Sequence, residues 1–95
     1  MPYIRISLMK PLAGEQKEVI RINKELLSYF SEMKGYITGY VLRAAGGADD
    51  LGRVTVWEGE DDADRAASDQ RTFTLRSDLH LKVRAGHTDR AFTAV

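Results

Sequence analysis

The sequence predicts an α+β domain: a four-stranded antiparallel sheet with its helices on one face, in the split βαβ order of ferredoxin-like folds. Three observations lead there. Period-two alternation appears in Tyr3–Met9, Tyr36–Arg43 and Gly52–Trp57. A helical-period apolar stripe fills the gap between the first two of these. After the third, Gly59 and an acidic run open a second helical stretch, ahead of a short C-terminal segment that alternates weakly.

Taken in order, Tyr3–Met9 sets Ile4, Ile6 and Leu8 against Tyr3, Arg5, Ser7 and Met9, as a strand with two unlike faces does. Pro11 cannot continue a central strand. From about Gly14 to Lys34 the spacing becomes helical, with Val19, Ile22, Leu26, Tyr29 and Met33 on one stripe, which predicts a helix of about five turns. Glu15 and Glu18 suit its N-terminal dipole, and Gly35 is its predicted stop. Tyr36–Arg43 alternates again, with Ile37 and Val41 opposed to Tyr36, Thr38, Tyr40 and Leu42, and Gly39 marks a bulge or a close approach. Ala45–Asp50 is a turn cluster, so the second and third strands form a hairpin. In the third, Val54 and Val56 oppose Arg53, Thr55 and Trp57. Glu60, Asp61 and Asp62 read as a helix start rather than a metal site. Ser68 or Asp69 caps a further helical stretch running to about Leu81 or Val83, Gly86 closes it, and His87–Val95 supplies the fourth strand.

Residues 1–95 make one domain, short enough that a second subunit would help to bury its core. Fourteen basic residues balance fourteen acidic ones, which leaves no electrostatic footprint for nucleic acid or an anionic membrane. Without cysteine there is no disulfide frame and no thiolate chemistry. The N-terminus lacks the pattern of a signal peptide and no apolar run approaches membrane-spanning length, so the expected location is the cytoplasm.

On the alternation, Ile4, Ile6, Leu8, Ile37, Val41, Val54 and Val56 are expected beneath the helices. The opposite face would carry Tyr3, Tyr40 and Trp57 among Arg5, Ser7, Thr38, Arg53 and Thr55. Three open aromatic side chains of roughly 150–250 Å² each exceed what a monomer ordinarily leaves uncovered. A two-fold homodimer through the open sheet face is therefore expected. RNA-binding domains share this topology, but Gly52–Trp57 lacks their aromatic-rich strand motif.

Arg53-Val54-Thr55-Val56-Trp57-Glu58, the acidic helix start behind it, Ser68-Asp69 and the preceding βαβ pattern resemble the antibiotic biosynthesis monooxygenase domain of the dimeric α+β barrel superfamily. The resemblance implies oxidation of a small aromatic or polyketide-like molecule by O2 with no flavin, haem or metal. An electron-rich phenolate or enolate itself reduces the oxygen, while the protein supplies a mostly dry pocket and favours the deprotonated form. A haem-degrading branch of the superfamily uses an Asn, a Trp and a His where this chain has Ser7, Arg65 and Leu75, so haem chemistry is not expected. A non-catalytic dimer that sequesters a small ligand in the same pocket, or a stress-responsive one, is the alternative.

The candidates for chemistry are Trp57, His80 and Tyr40, with Tyr36, Arg5, Phe73 and Leu75 expected at the substrate. Each also has an ordinary role. Trp57 either fills an interface or donates its indole N–H to a substrate oxygen. Tyr36 and Tyr40, read as sharing one side of their strand, either pack or orient a phenol. His80, and after it His87, are the side chains that titrate near neutrality, and a histidine near a helix end is also commonly just solvated. Arg5 and Arg53 either hold an anionic substrate group or pair with acids across the dimer. No metal ligand set and no nucleotide-binding or nucleophile motif is present.

Overall fold

The computed structural model describes residues 1–95. Its elements run β1 (Tyr3–Met9), α1 (Gln16–Phe30), β2 (Tyr36–Arg43), a short 3₁₀ turn at Ala45–Gly47, β3 (Leu51–Trp57), α2 (Glu60–Ala67), α3 (Gln70–His80) and β4 (Thr88–Thr93). The strands form one antiparallel sheet in the order β2-β3-β1-β4. This is the predicted ferredoxin-like arrangement. The helical stretch after β3 breaks in two at Ser68-Asp69, because the Asp69 carboxylate accepts from the Arg71 and Thr72 backbone N–H groups and starts a new helix there. Tyr29 of α1 donates to the same carboxylate at 2.8 Å, tying the two helices together.

The core lies between helices and sheet. The α1 stripe Val19, Ile22, Leu26 and Phe30 meets Leu51 and Trp57 of β3 and Met9 of β1, while Ala63 and Ala66 let α2 approach closely. Trp57 is 2 % exposed and packs edge-on against Phe30 and Tyr36, with ring centroids 5.6 and 5.5 Å away. Burying an aromatic of this size contributes on the order of 4–6 kcal/mol as an upper bound.

On β1 and β3 the sheet faces are the reverse of those expected, whereas Val41 on the helix side and Thr38 and Tyr40 on the open side of β2 lie as expected. In register, Tyr3 lies opposite Trp57, Arg5 opposite Thr55, Ser7 opposite Arg53 and Met9 opposite Leu51. That row, and not the aliphatic one, lies under the helices: Leu51, Arg53, Thr55 and Trp57 are all buried. Ile4, Ile6, Val54 and Val56 are only half-buried on the open face, with Leu8, Tyr40 and Phe92 exposed beside them. The reason is physical. Alternation groups residues onto faces, but α1 brings enough apolar surface of its own to cover a mixed row, provided that row also contains Met9, Leu51 and Trp57.

Strand β2 needs a second correction. A bulge between Tyr36 and Thr38 leaves Ile37 unpaired and half-exposed, so Tyr36 sits opposite Trp57 on the helix side and Tyr40 opposite Val54 on the open side. The two tyrosines do not share a face. Gly39 permits the arrangement, since a Cβ there would meet the Tyr36 hydroxyl at 2.6 Å and the Val54 carbonyl at 2.9 Å. No helix is long and apolar enough to cross a membrane.

Candidate functional site

Between the helix-side row and α2–α3 the packing is incomplete. A pocket of about 250 Å³ remains, floored by Ser7, Arg53, Thr55 and Trp57, roofed by Ala63, Ala66, Thr72 and Arg76, and rimmed by Asp89, Arg90 and Ala91 of the exposed strand β4. This is at the small end of ligand pockets, which span roughly 300–1,000 Å³. Small alanines on α2 keep the space open, and the strand register fixes its chemical gradient. The aromatic pair Tyr3 and Trp57 marks one end, Ser7 and Arg53 the other.

Arg53 is the most unusual group in it. Its side chain comes from the centre of β3, the residue is only 9 % exposed, and its Nη1 donates to Asn23 Oδ1 at 3.0 Å. Asn23 is itself fully buried in the apolar stripe of α1, where its Nδ2 donates to the Val19 carbonyl at 2.9 Å. No carboxylate lies within ion-pair distance of either Arg53 or Arg76; every ion pair of the chain is made elsewhere. Burial, and after it the charge of Arg76, push the Arg53 guanidinium down to about 10, so it stays cationic at neutral pH. Arg5, midway along β1, differs: its guanidinium pairs with Asp64 and donates to the Ala63 carbonyl.

The carboxylate at the rim is Asp89. It accepts from Ser7 Oγ at 2.5 Å, and His87 Nε2 stands 3.2 Å from its other oxygen. Partial burial opposes its ionisation, but the Ser7 hydrogen bond and the positive field of His87, Arg53 and Arg76 outweigh this and hold it below the usual carboxylate range. The His87 ring meets that of His80 at a tilt of 50° with centroids 4.8 Å apart, and the basicity of His80 is lowered by burial, by His87 and by Arg76. On the roof, the fully buried Thr72 hydroxyl has no hydrogen-bond partner within the chain. An orphaned buried hydroxyl costs about 1–3 kcal/mol.

Of the side chains singled out in the sequence, Trp57, Arg5 and Arg53 line this pocket. His80 lies next to it, in a small side cavity shared with Ser7, Arg53, Arg76, His87 and Asp89. Tyr36 packs behind Trp57, and Leu75 packs against the core; neither lines the pocket. Tyr40 is 63 % exposed on the opposite sheet face and Phe73 is 69 % exposed on α3, so both lie outside it. Asn23, Thr72, Arg76 and Asp89 were not singled out. Asn23 alone had a legible signal, as a polar side chain inside an apolar helical stripe, which requires a buried partner. No three His, Asp or Glu side chains converge to form a metal-binding group.

The four-stranded ferredoxin-like sheet with its helices on one face is a fold shared with solved structures of antibiotic biosynthesis monooxygenase-type proteins. No family model and no curated protein matches the sequence. Among solved structures, a mutant of SnoaB, a cofactor-independent oxygenase from Streptomyces nogalater, superposes with a TM-score of 0.87 at 16% identity, over 98% of this chain and 92% of that one. Rv0793 from Mycobacterium tuberculosis gives 0.89 at 9% identity, over 100% and 96% of the two chains. A structure described as an antibiotic biosynthesis monooxygenase gives 0.85 at 13% identity, over 100% and 99%. At these identities the likeness is one of fold.

Proposed function

We propose that this chain is a cofactor-independent monooxygenase that oxidises a small aromatic molecule with O2 in the pocket beneath its helices. The observation that carries the reading is the pair of guanidiniums without an ion-pair partner, Arg53 and Arg76, on a pocket that the buried Trp57 bounds at its other end. Reaction of an anthrone-type substrate with O2 begins from its enolate. The methylene carbon becomes a carbonyl, one oxygen atom is retained and the other leaves as water. A positive field in a partly desolvated site lowers the free energy of that enolate, and so raises the fraction of substrate held in the form that can reduce O2. Trp57 positions the ring system, Arg53 and Arg76 favour its anionic form, and Arg5 helps to close the β1 side.

Oxygen uptake with a panel of anthrones and hydroquinones tests this. Turnover by the wild type, reduced about tenfold or more in Trp57→Phe, supports it. Saturable binding without oxygen uptake would replace it with a ligand-sequestering role. The aliphatic open face, Ile4, Ile6, Val54 and Val56 with Tyr40 and Phe92, is the surface through which we propose that two copies associate.

A further inference from the structure

We propose that the substrate is an aromatic carboxylic acid, anchored by its carboxylate between Arg53 and Arg76 with its ring system lying towards Trp57. This rests on reading the pocket as a substrate site and specifies what enters it.

The charge inventory makes the argument. Arg5 is neutralised by Asp64, and the Arg90 guanidinium lies 5.1 Å from the centroid of Phe92, with which it shares the open side of β4. Asp89 is the only carboxylate lining the pocket, and its two oxygens are engaged by Ser7 and His87. Arg53 and Arg76 are therefore two cations sharing one anion, with neither in ion-pair contact with it. Of the Arg53 donors, one is held by the neutral Asn23 amide. Burying a guanidinium against a neutral amide is unfavourable, and a second guanidinium nearby worsens it. A planar anion that accepts from both forks reverses both penalties.

A phenol fits this position poorly as the resident anion. With a pKa near 10 it arrives neutral at pH 7, whereas a carboxylate near 4 arrives ionised. With Asp89 already facing the two guanidiniums, one substrate carboxylate balances the charge of the pocket. The register sets the length. Arg53 and Trp57 are four residues apart on β3, about 13 Å along the strand, so an acid bound at Arg53 extends its rings over Thr55 towards the indole.

Isothermal titration of the full chain with 1-hydroxy-2-naphthoate and with its neutral isostere 1-hydroxy-2-naphthamide tests the anchor. The expected result is binding of the acid at least tenfold more tightly than the amide. Arg76→Gln, at a half-buried position that makes no ion pair, is expected to reduce that preference at least fivefold. Equal affinity for acid and amide, no binding of either, or an unchanged preference in Arg76→Gln would each overturn the inference. Oxygen uptake separates it from the oxygenase reading. Turnover of anthrones without acid preference removes the anchor and keeps the enzyme, whereas acid preference without any oxygen uptake keeps the anchor and removes the enzyme.

Discussion

At the scale of single residues, the decisive pair is Arg53 and Asn23. A guanidinium this deep is ordinarily held by a carboxylate, and here a neutral amide holds it instead. Asn23 thus orients Arg53 without cancelling its charge, which is what an anion-binding site requires. Replacing Asn23 by Ala removes the only hydrogen-bond partner of that kind and leaves a cavity beside a buried cation. The expected loss is about 2–4 kcal/mol of folding stability, measured by urea denaturation. Asn23→Asp offers an informative contrast. A carboxylate at this place would pair with Arg53, so stability should fall less than in the Ala variant while affinity for aromatic acids falls more. Equal stability loss in both variants would show that Asn23 acts by packing alone. The identity of Arg53 as a candidate was legible in the sequence; its burial was not, because that depends on which sheet face the helices cover.

At the scale of elements, the connections carry the information that periodicity lacks. The helical spacing that ran to Met33 is realised as a helix only to Phe30, and the chain then turns through Gly35 into β2. Gly35 has a φ of +86°, its carbonyl accepts from the Glu58 backbone N–H at 2.7 Å, and a Cβ on it would overlap the Asp62 side chain. It therefore joins the start of β2 to the start of α2, the two elements that flank Trp57. Gly35→Ala is expected to lower stability by about 1–3 kcal/mol, read from the denaturation midpoint at unchanged m-value. An effect below a few tenths of a kcal/mol would mean that this junction relaxes freely. The glycine was legible as a stop signal. The neighbouring bulge at Ile37 was not, although Gly39 pointed to irregular pairing close by, because one extra residue in a strand leaves no mark on its composition. That single residue moves Tyr36 to the helix side and Tyr40 to the other, and so separates two side chains that the alternation had grouped.

At the scale of the whole molecule, what matters is which face of the sheet the helices took. Order and strand boundaries were legible because turn residues, caps and alternation are local signals. The choice of face is not local: it follows from how the α1 stripe and the α2 alanines pack, and exchanging the faces leaves every local pattern intact. Its consequence is a mixed row enclosed with a pocket, and an aliphatic row left in the open. Ile4, Ile6, Val54 and Val56, bordered by Leu8, Tyr40 and Phe92, form a contiguous apolar surface of the kind that soluble monomers seldom expose. Pairing two such faces across a two-fold axis would bury them both, and the alternating side chains would interdigitate as in a β-sandwich core. A charge at the middle of this face tests the assignment directly. Val54 lies between Ile6 and Tyr40 in the ladder, so Val54→Asp would place a carboxylate at the centre of the apolar face. Sedimentation velocity at micromolar concentration is expected to show a dimer for the wild type and predominantly monomer for Val54→Asp, with the α3 helix and pocket residues untouched by the change. A wild type that sediments only as monomer would remove the dimer, and a Val54→Asp dimer would mean that the copies meet through another surface.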